Sequence, residues 1–482
     1  MTALAVTDLP RRAAALGRSP AVAGVPLVVG GLALGAAVSV SPLLAVAAAL
    51  GLLVLVVVAV RPVLGVYAVI VLTPLTAGID RGTLIPVLRP NEAVLGLVAA
   101  AMLARWVLTL RSVRDIRLRI DPMLGALLAL AVLSSVVPLI WLKLRGLPAT
   151  ADDLLYALVL WKFLIVFLVV RGAHLDQAQV WRALQLSVGT AALISMISLL
   201  QIAGFGPVVS LLQSYFTSND NTAAITNSRG SSTLGLPIAV ADFSMFNLAI
   251  VMGMIWVRRR ASPFLVGTGW VLTLGVIGAG EFSGFIGLLV AVGTVCALTR
   301  STLAARFLGL GGVLGLPFVW TVIQTRLAGF QSATGLPVSW TGRLTNLHTY
   351  FWPVLGAHHN YLLGVRPAAR IVAPHRANGF IWIESGYTWL LWAGGIPLLL
   401  AFCWFVVVAL RTGRGALRSP AAPLRVVGLA TTTAIAVITV LMVFDPHLTY
   451  RGVADELFAL LALCTLPATM RGHEGVDHVR SA

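Results

Sequence analysis

Ionisable residues stand at the borders of long apolar segments in this chain. Glu384 ends the stretch FIWIE just before an apolar run, Glu281 lies between two such runs, and Asp242 lies early in another. A carboxylate in such a place can accept a proton from a hydroxyl group. The planar guanidinium of an arginine such as Arg343 suits phosphate oxygens. These residue types indicate acid–base chemistry beside an anion site.

Composition restricts the class of protein that carries these residues. The 482 residues are 59% hydrophobic and 11% charged, with a mean hydropathy of +0.95. Globular domains carry roughly 25% charged residues, and a soluble fold leaves much of its surface in water. The composition therefore excludes a soluble enzyme, a disordered protein and a disulfide scaffold. The three cysteines lie in apolar segments without CxxC spacing, which argues against disulfides and a metal cage.

Fourteen apolar runs predict an all-α bundle of transmembrane helices, because lipid offers the backbone no hydrogen-bond partners. The runs lie at about 21–38, 42–60, 62–78, 91–110, 122–141, 154–170, 183–203, 236–257, 263–279, 283–299, 307–324, 385–409, 426–444 and 453–470. The chain thus divides into a cytoplasmic tail at 1–20, eleven helices within 21–324, a long loop at 325–384, three helices within 385–470 and a cytoplasmic tail at 471–482.

The charge distribution predicts the orientation of the bundle. The chain carries 34 Lys and Arg against 17 Asp and Glu, a net charge of +17. Cytoplasmic loops of membrane proteins collect Lys and Arg, so this excess does not require nucleic acid as a partner. Placing both termini inside puts 21 cations in the cytoplasm, eleven outside and two within spans.

The long loop at 325–384 lies outside in this orientation and contains many aromatic residues. Its length and composition predict a small helical cap that folds back on the membrane. Five of the eleven outside cations belong to it: Arg326, Arg343, Arg366, Arg370 and Arg376. Arginines beside aromatic residues such as Trp340 suit a lipid-linked diphosphate that bears a sugar. Binding of lipid headgroups, or simple solvation of the loop, explains the same charges.

The acids and histidines leave further alternatives open. Glu384 suits a general base or an acid in the first turn of a helix. Asp152 and Asp153 precede a predicted span, and the role at the helix terminus is favoured for both. His375 in the long loop and His447 in the segment DPHLTYR are expected on the outer face. The HHN motif at 358–360 lacks the spacing of metal ligands. Nucleotide-binding and serine-hydrolase motifs are absent.

Three stretches follow one another in an order and spacing that point to a family. They are NSRGSSTLGLPIAVADFSMFNLAI at 227–250, TGRLTNLHTYFWPVLGAHHNYLLGVRPA at 341–368 and ESGYTWLLWAGGIP at 384–397. The chain over about 227–410 resembles the O-antigen ligase and O-antigen polymerase superfamily of bacterial membrane glycosyltransferases. Glu384 and Ser385 stand where ligases have a His-Asn pair, and GEFSG at 280–284 replaces a Ser-Arg-Gly element. These departures favour a polysaccharide polymerase or another ligase-like enzyme.

The resemblance implies a reaction and a set of partners. The donor is a glycan on undecaprenyl diphosphate at the outer face of the bacterial cytoplasmic membrane, and the acceptor is a sugar hydroxyl of a glycan or a lipid-linked glycan. One displacement inverts the anomeric carbon and needs neither a metal nor another cofactor. Other polysaccharide assembly proteins are possible partners.

Site residues follow from the resemblance and from location. The resemblance makes Glu384 the base, places Arg229 and Arg343 at the family's arginine positions and puts Tyr387 at its tyrosine position. Charge and location add a substrate-binding set of Arg366, Arg370, Arg376, His375 and Trp340.

A transporter, a transferase that uses lipid monophosphate sugars and a structural membrane protein are the alternative functions. A lipid-linked oligosaccharide flippase, or another polysaccharide transporter, is the main alternative because such proteins can also have 14 spans. Transporters tend to show internal repeats and midplane charges, and the two halves of this chain show no convincing repeat. Transferases that use lipid monophosphate sugars carry an acidic pair in the first outer loop, which is only VSVS here. No feature favours a purely structural membrane protein.

Overall fold

The computed structural model describes residues 42–85, 88–109, 120–216, 229–302, 306, 309, 313, 317, 320–328, 337–373 and 379–466. These residues are mostly helical, and the sheet among them is a two-stranded hairpin. The all-α class expected from composition is confirmed. The predicted tails at 1–20 and 471–482, the predicted span at 21–38 and most of the one at 307–324 lie outside the described residues.

The described helices and strands are numbered in chain order. The α-helices are α1 Pro42–Val60, α2 Pro62–Thr76, α3 Pro90–Thr109, α4 Pro122–Leu133, α5 Val136–Leu144, α6 Ala151–Ala157, α7 Val159–Gly172, α8 Gln177–Ile202, α9 Gly206–Tyr215, α10 Pro237–Arg258, α11 Pro263–Gly278, α12 Phe282–Thr299, α13 Trp320–Ala328, α14 Val338–Asn346, α15 Trp352–Gly356, α16 Gly386–Leu417, α17 Ala422–Leu441 and α18 Val453–Cys464. The strands β1 Arg370–Val372 and β2 Phe380–Trp382 pair antiparallel.

Eight helical stretches in the described part of the chain are long and apolar enough to cross a membrane. They are Pro90–Leu108, Pro122–Leu144, Ala151–Gly172, Gln177–Ile202, Pro237–Arg258, Phe282–Thr299, Gly386–Leu417 and Ala422–Leu441. Lipid-facing surfaces of such helices need apolar side chains, which these stretches supply. The chain is therefore a multi-pass membrane protein, and the count of 14 spans stays a prediction.

The structure falls into two compact units. The first contains α1 and the C-terminal part of α3, where Arg105 lies within a predicted span. The Arg105 guanidinium donates hydrogen bonds to the carbonyls of Ala59 (2.7 Å) and Val60 (3.2 Å). These carbonyls end α1 and have no partner within that helix, so the cation satisfies a helix C-terminus.

The second unit contains the rest of the described chain and is built around α10. This helix is buried from Pro237 to Ile255, and α8, α11, α12 and α17 pack against it. A helix that is covered on all sides must satisfy its own polar residues within the protein. Asp242 and Asn247 on α10 therefore have partners on neighbouring segments.

A break in α16 fixes the position of the long loop. Gly395 has φ 67° and ψ −160°, so the helix is interrupted there. The exposed backbone groups pair with the loop: the Val365 N–H donates to the Trp392 carbonyl (2.6 Å), and the Ile396 N–H donates to the Tyr361 carbonyl (2.9 Å). An unpaired backbone group in lipid costs several kcal/mol, so the break and the loop stabilise each other.

The described part of the long loop packs against the bundle through α16 and is called the cap below. It contains α14, α15 and the β1–β2 hairpin. The hairpin was not expected from the sequence, which predicted a purely helical cap. Its strands have only three residues each, and Ile371 and Ile381 pair at their centre.

Gly364 tests the coupling between the loop and the broken helix. Its φ is +88°, and a Cβ added there would lie 2.8 Å from the Trp392 carbonyl oxygen. We expect Gly364→Ala to lower the unfolding temperature in detergent, since a positive φ alone costs about 1–2 kcal/mol for a residue with a Cβ. Gly356→Ala is the matched control, because nothing lies within 4 Å of its added Cβ. Equal unfolding temperatures for the two variants would contradict this coupling.

Candidate functional site

Arg343 lies between two carboxylates at one end of the bundle. Its Nη1 is 2.6 Å from Asp445 Oδ2, and its Nε is 3.8 Å from Glu384 Oε1. The Asn346 Nδ2 donates to Glu384 Oε2 at 3.2 Å. These four residues are called the Arg343 cluster. One cation thus serves two acids, and one of the acids also accepts a neutral hydrogen bond.

Local structure explains how the cluster assembles. Arg343 and Asn346 are three residues apart on α14, so they share one face of that helix. Glu384 precedes α16, and Asp445 follows the end of α17. The N–H groups of Gly386 and Tyr387 donate to the Met442 carbonyl at 2.8 and 3.2 Å. This junction brings the start of α16 beside the end of α17.

Glu384 does not cap the helix that follows it. The N-cap of α16 is Ser385, whose side chain accepts a hydrogen bond from the Thr388 N–H at 3.3 Å. The alternative role of Glu384 as an acid in the first turn of a helix is therefore wrong, because its carboxylate is directed to Asn346 and Arg343 instead.

A buried pair of one aspartate and one histidine adjoins the Arg343 cluster. His447 Nδ1 is 2.5 Å from Asp242 Oδ2, and neither side chain is exposed to solvent. The His447 N–H donates to the Asp445 carbonyl at 2.8 Å, which joins the pair to the Arg343 cluster through the backbone. His447 Nε2 and Asp242 Oδ1 are buried and make no hydrogen bond with any residue that the structure describes. The segment 445–447 therefore contributes to both groups of residues.

Burial changes the acidity of Asp445. The pKa of the Asp445 carboxyl is raised to about 6, mainly by burial and also by the nearby Glu384 and Asp242, while the Arg343 and His447 charges oppose this rise. Among the described residues, Asp445 Oδ2 makes no hydrogen bond, and the charges of Arg343 and His447 stabilise its ionised form. Two acids on one guanidinium with different surroundings are suited to acid–base chemistry.

Arg229 is held near the Arg343 cluster by the end of α8 and the start of α12. Its guanidinium pairs with Glu281 at the start of α12. Gln201 at the end of α8 holds the turn after Arg229, since its Oε1 accepts hydrogen bonds from the N–H groups of Ser231 (3.0 Å) and Ser232 (2.9 Å). The turn at Arg229 is thus fixed by the bundle.

Trp340 connects the two ion-paired arginines. Its ring centroid lies 5.0 Å from that of Phe444 and 6.3 Å from that of Phe282. Phe444 precedes Asp445, and Phe282 follows Glu281. Of the nine predicted site residues, Arg229, Arg343, Glu384 and Trp340 are therefore brought into one neighbourhood.

Two other predicted binding arginines dock the long loop. Arg366 lies 2.7 Å from Asp153 Oδ2, and the Arg370 Nε donates to Asp152 Oδ2 at 2.7 Å. Arg370 also lies over the ring of Phe380 at 3.9 Å. Asp153 closes a capping box at the start of α6, so the expected helix-terminus role is confirmed for it. The prediction from charge and location did not foresee that both arginines already have carboxylate partners.

The remaining predicted residues fall into two groups. The Tyr387 hydroxyl donates to the Thr439 carbonyl at 2.7 Å, and its ring packs against Phe402, so it joins two helices. His375 and Arg376 lie outside the described residues. Their assignment to substrate binding stays a prediction.

A second charge cluster lies on the loop between α2 and α3. Arg81 is 2.7 Å from Glu92, and Arg89 is 3.4 Å from Asp80. Arg451 is 3.7 Å from Asp80, and burial lowers the pKa of its guanidinium to about 10. The segment 445–451 thus supplies Asp445, His447 and Arg451. The density of polar residues in DPHLTYR was the sequence signal for this contribution. From the sequence, only His447 of this segment was predicted to lie on the outer face.

Neither the family models nor the curated proteins give a relative for this chain. No family model matches it, and no curated protein is significantly similar to it. Among the described residues, no group of three His, Cys, Asp or Glu side chains is arranged to hold a metal ion. Functional inference therefore rests on the geometry above and on the motifs in the sequence.

Arg366→Ala separates a docking role from substrate binding. The change leaves the fully buried Asp153 carboxylate without its cation, which typically costs about 3–5 kcal/mol. We expect a marked fall in the unfolding temperature, and partial recovery in the double variant Asp153→Asn with Arg366→Gln, which removes both charges. An unchanged unfolding temperature would show that Arg366 is free to bind a ligand.

Asp445 predicts a pH dependence of stability. The pKa of Asp445 is higher in the folded protein than in the unfolded chain, so protonation of this acid stabilises the fold. The stabilisation is complete below the ordinary pKa of about 3.9 and is lost as the pH rises through about 6. We expect the wild-type protein to lose about 2 kcal/mol relative to Asp445→Asn between pH 4 and pH 6. Thermal unfolding at a series of pH values measures this difference, and parallel curves would contradict it.

Proposed function

We propose that the chain is a membrane glycosyltransferase that moves a glycan from an undecaprenyl-diphosphate carrier to an acceptor sugar hydroxyl. The Arg343 cluster is the observation that carries the proposal, because it places a carboxylate, Glu384, beside an arginine at the mouth of a span. The resemblance of 227–410 to O-antigen ligases and polymerases supports the same reaction. The expected location is the outer face of the bacterial cytoplasmic membrane, in surface polysaccharide assembly.

In the proposed reaction, the acceptor oxygen attacks the anomeric carbon of the donor. The bond between that carbon and the diphosphate oxygen breaks, and its electron pair leaves with the lipid diphosphate. Glu384 takes the proton of the attacking hydroxyl, and a single displacement inverts the anomeric carbon. Asn346 orients the Glu384 carboxylate through its hydrogen bond of 3.2 Å.

The leaving diphosphate requires positive charge, and Arg343 and Arg229 supply it in this proposal. Both are paired with carboxylates in the structure, Arg343 with Asp445 and Arg229 with Glu281. An arginine binds carboxylate and phosphate with the same planar donors, so a diphosphate can replace these acids. Asp445 is suited to release Arg343, since burial raises its pKa to about 6 and makes its neutral form accessible.

Aromatic side chains complete the proposed substrate site. Trp340 lies between Phe282 and Phe444, next to both ion-paired arginines. A sugar ring that stacks on Trp340 would have its anomeric carbon near the Arg343 cluster. In this proposal Arg366 and Arg370 hold the cap in place, and they affect the rate only through its position.

A transporter is the second candidate function, and one observation favours it. Lys162 and Asp455 form an ion pair of 2.9 Å between α7 and α18, inside the bundle. Charged groups within membrane segments often mark ion or substrate pathways. A flippase would move the lipid-linked glycan across a vesicle membrane without cleaving it, so analysis of the carrier lipid distinguishes the two functions.

Glu384→Gln tests the assignment of the base. Proton transfer of this kind contributes about 10²–10⁴-fold, so we expect the transfer rate to fall by that factor at unchanged unfolding temperature. Asp176→Asn is the matched control, because Asp176 caps the start of α8, contacts neither the cluster nor the cap, and Asn is an equally good N-cap, so this variant should keep the parent rate. A parent rate for Glu384→Gln would remove Glu384 from the mechanism.

A further inference from the structure

A glutamate inside the bundle does not belong to the Arg343 cluster. Glu456 is the fourth residue of α18 and is 5% exposed. Its Oε1 lies 2.7 Å from the Ser187 hydroxyl of α8. The same hydroxyl lies 2.6 Å from Asn247 Oδ1 of α10. Three helices therefore meet through these three side chains.

The hydrogen-bond inventory of this group determines where its protons are. The Asn247 Nδ2 donates to the Phe243 carbonyl at 3.0 Å, and a carbonyl can only accept, so Asn247 Oδ1 must face Ser187. A serine hydroxyl has one proton, and that proton is donated to Asn247 Oδ1. The short contact between Ser187 and Glu456 is then favourable only if Glu456 is the donor.

No positive charge compensates Glu456 in the described structure. Lys162 on α7 is 2.9 Å from Asp455 and is thus committed to the neighbouring acid. Helix α2 also lies beside Glu456 and contributes Thr73, whose hydroxyl donates to the Val69 carbonyl. An ionised carboxylate in such surroundings would pay a large desolvation cost.

The other helices packed on α18 bring no ionic partner to Glu456 in the described residues. On α16 the contact is Phe405 against Phe458, and on α17 it is Thr431 against Cys464 near the far end of α18. Nearer the other end, α10 contributes Asp242, which is paired with His447. The titratable groups among these, Cys464, Asp242 and His447, therefore have partners other than Glu456.

The space beside Glu456 suits a proton rather than a metal ion. The crevice between α2 and α18 is lined by Thr73, Gly452, Asp455 and Glu456, and it is too narrow to hold a water molecule. Asp455 Oδ1 is buried and makes no hydrogen bond within the described part of the chain. A hydrated cation cannot enter such a crevice, whereas a proton occupies no additional volume.

We propose that Glu456 is a proton-binding site in the membrane interior, occupied at neutral pH, with Ser187 and Asn247 as the acceptor chain that holds the proton. The carboxylic acid donates to Ser187, and Ser187 donates to Asn247. Such a site places a neutral acid inside the bundle. It does not depend on the glycosyl transfer proposed above.

Infrared difference spectroscopy of the protein in lipid vesicles at pH 7 tests this site. The wild-type minus Glu456→Gln spectrum should show the C=O band of a carboxylic acid, which shifts on exchange into deuterated water. Glu92→Gln is the matched control, because Glu92 pairs with Arg81 and should contribute no such band. Absence of the acid band at Glu456 would overturn the proposal.

A second variant keeps the test valid if Glu456→Gln does not fold. Ser187→Ala removes the acceptor of the proposed hydrogen bond and leaves the glutamate in place. The acid band should then move to higher frequency, because its O–H has lost a partner. A Ser187→Ala spectrum without any change in the carboxylic acid region would equally overturn the proposal.

Discussion

A charge or backbone group that leaves water must find its partner within the protein, and this requirement shapes the described structure. The long loop lies where it does because its backbone satisfies the groups exposed by the break at Gly395. Arg366 and Arg370 then pair with the acids that begin α6. The loop in turn carries α14, and α14 brings Arg343 to the acids at the ends of α16 and α17.

The same requirement gives the Arg343 cluster its chemical character. Its two carboxylates compete for one guanidinium, and only Glu384 also accepts a hydrogen bond from Asn346. Asp445 is more buried than Glu384, and burial raises the pKa of Asp445, so the two acids are suited to different roles. In the proposed enzyme, Asp445 and Glu281 pair with the two arginines until the diphosphate of the donor replaces them. Glu384 remains available as the base.

Sequence reasoning succeeded where a residue's position along the chain determines its environment. The apolar runs predict the helices, and the border position of Glu384 predicts a carboxylate at a helix entrance beside arginine. Reasoning failed where partners come from distant segments. Asn346 and Asp445 join the cluster only through tertiary packing, and a count of cations cannot reveal that Arg366 already faces Asp153. The break at Gly395 was also missed, because its apolar surroundings resemble a continuous helix.

The central claim is that this bundle cleaves a lipid-linked glycan rather than moving it. The most direct measurement uses the purified wild-type protein in vesicles, with an undecaprenyl-diphosphate-linked glycan and an acceptor glycan, and identifies the products by mass spectrometry and NMR. The account predicts a new glycosidic bond with inverted anomeric configuration and the release of undecaprenyl diphosphate. Translocation of an intact donor, with no new bond formed, would contradict it.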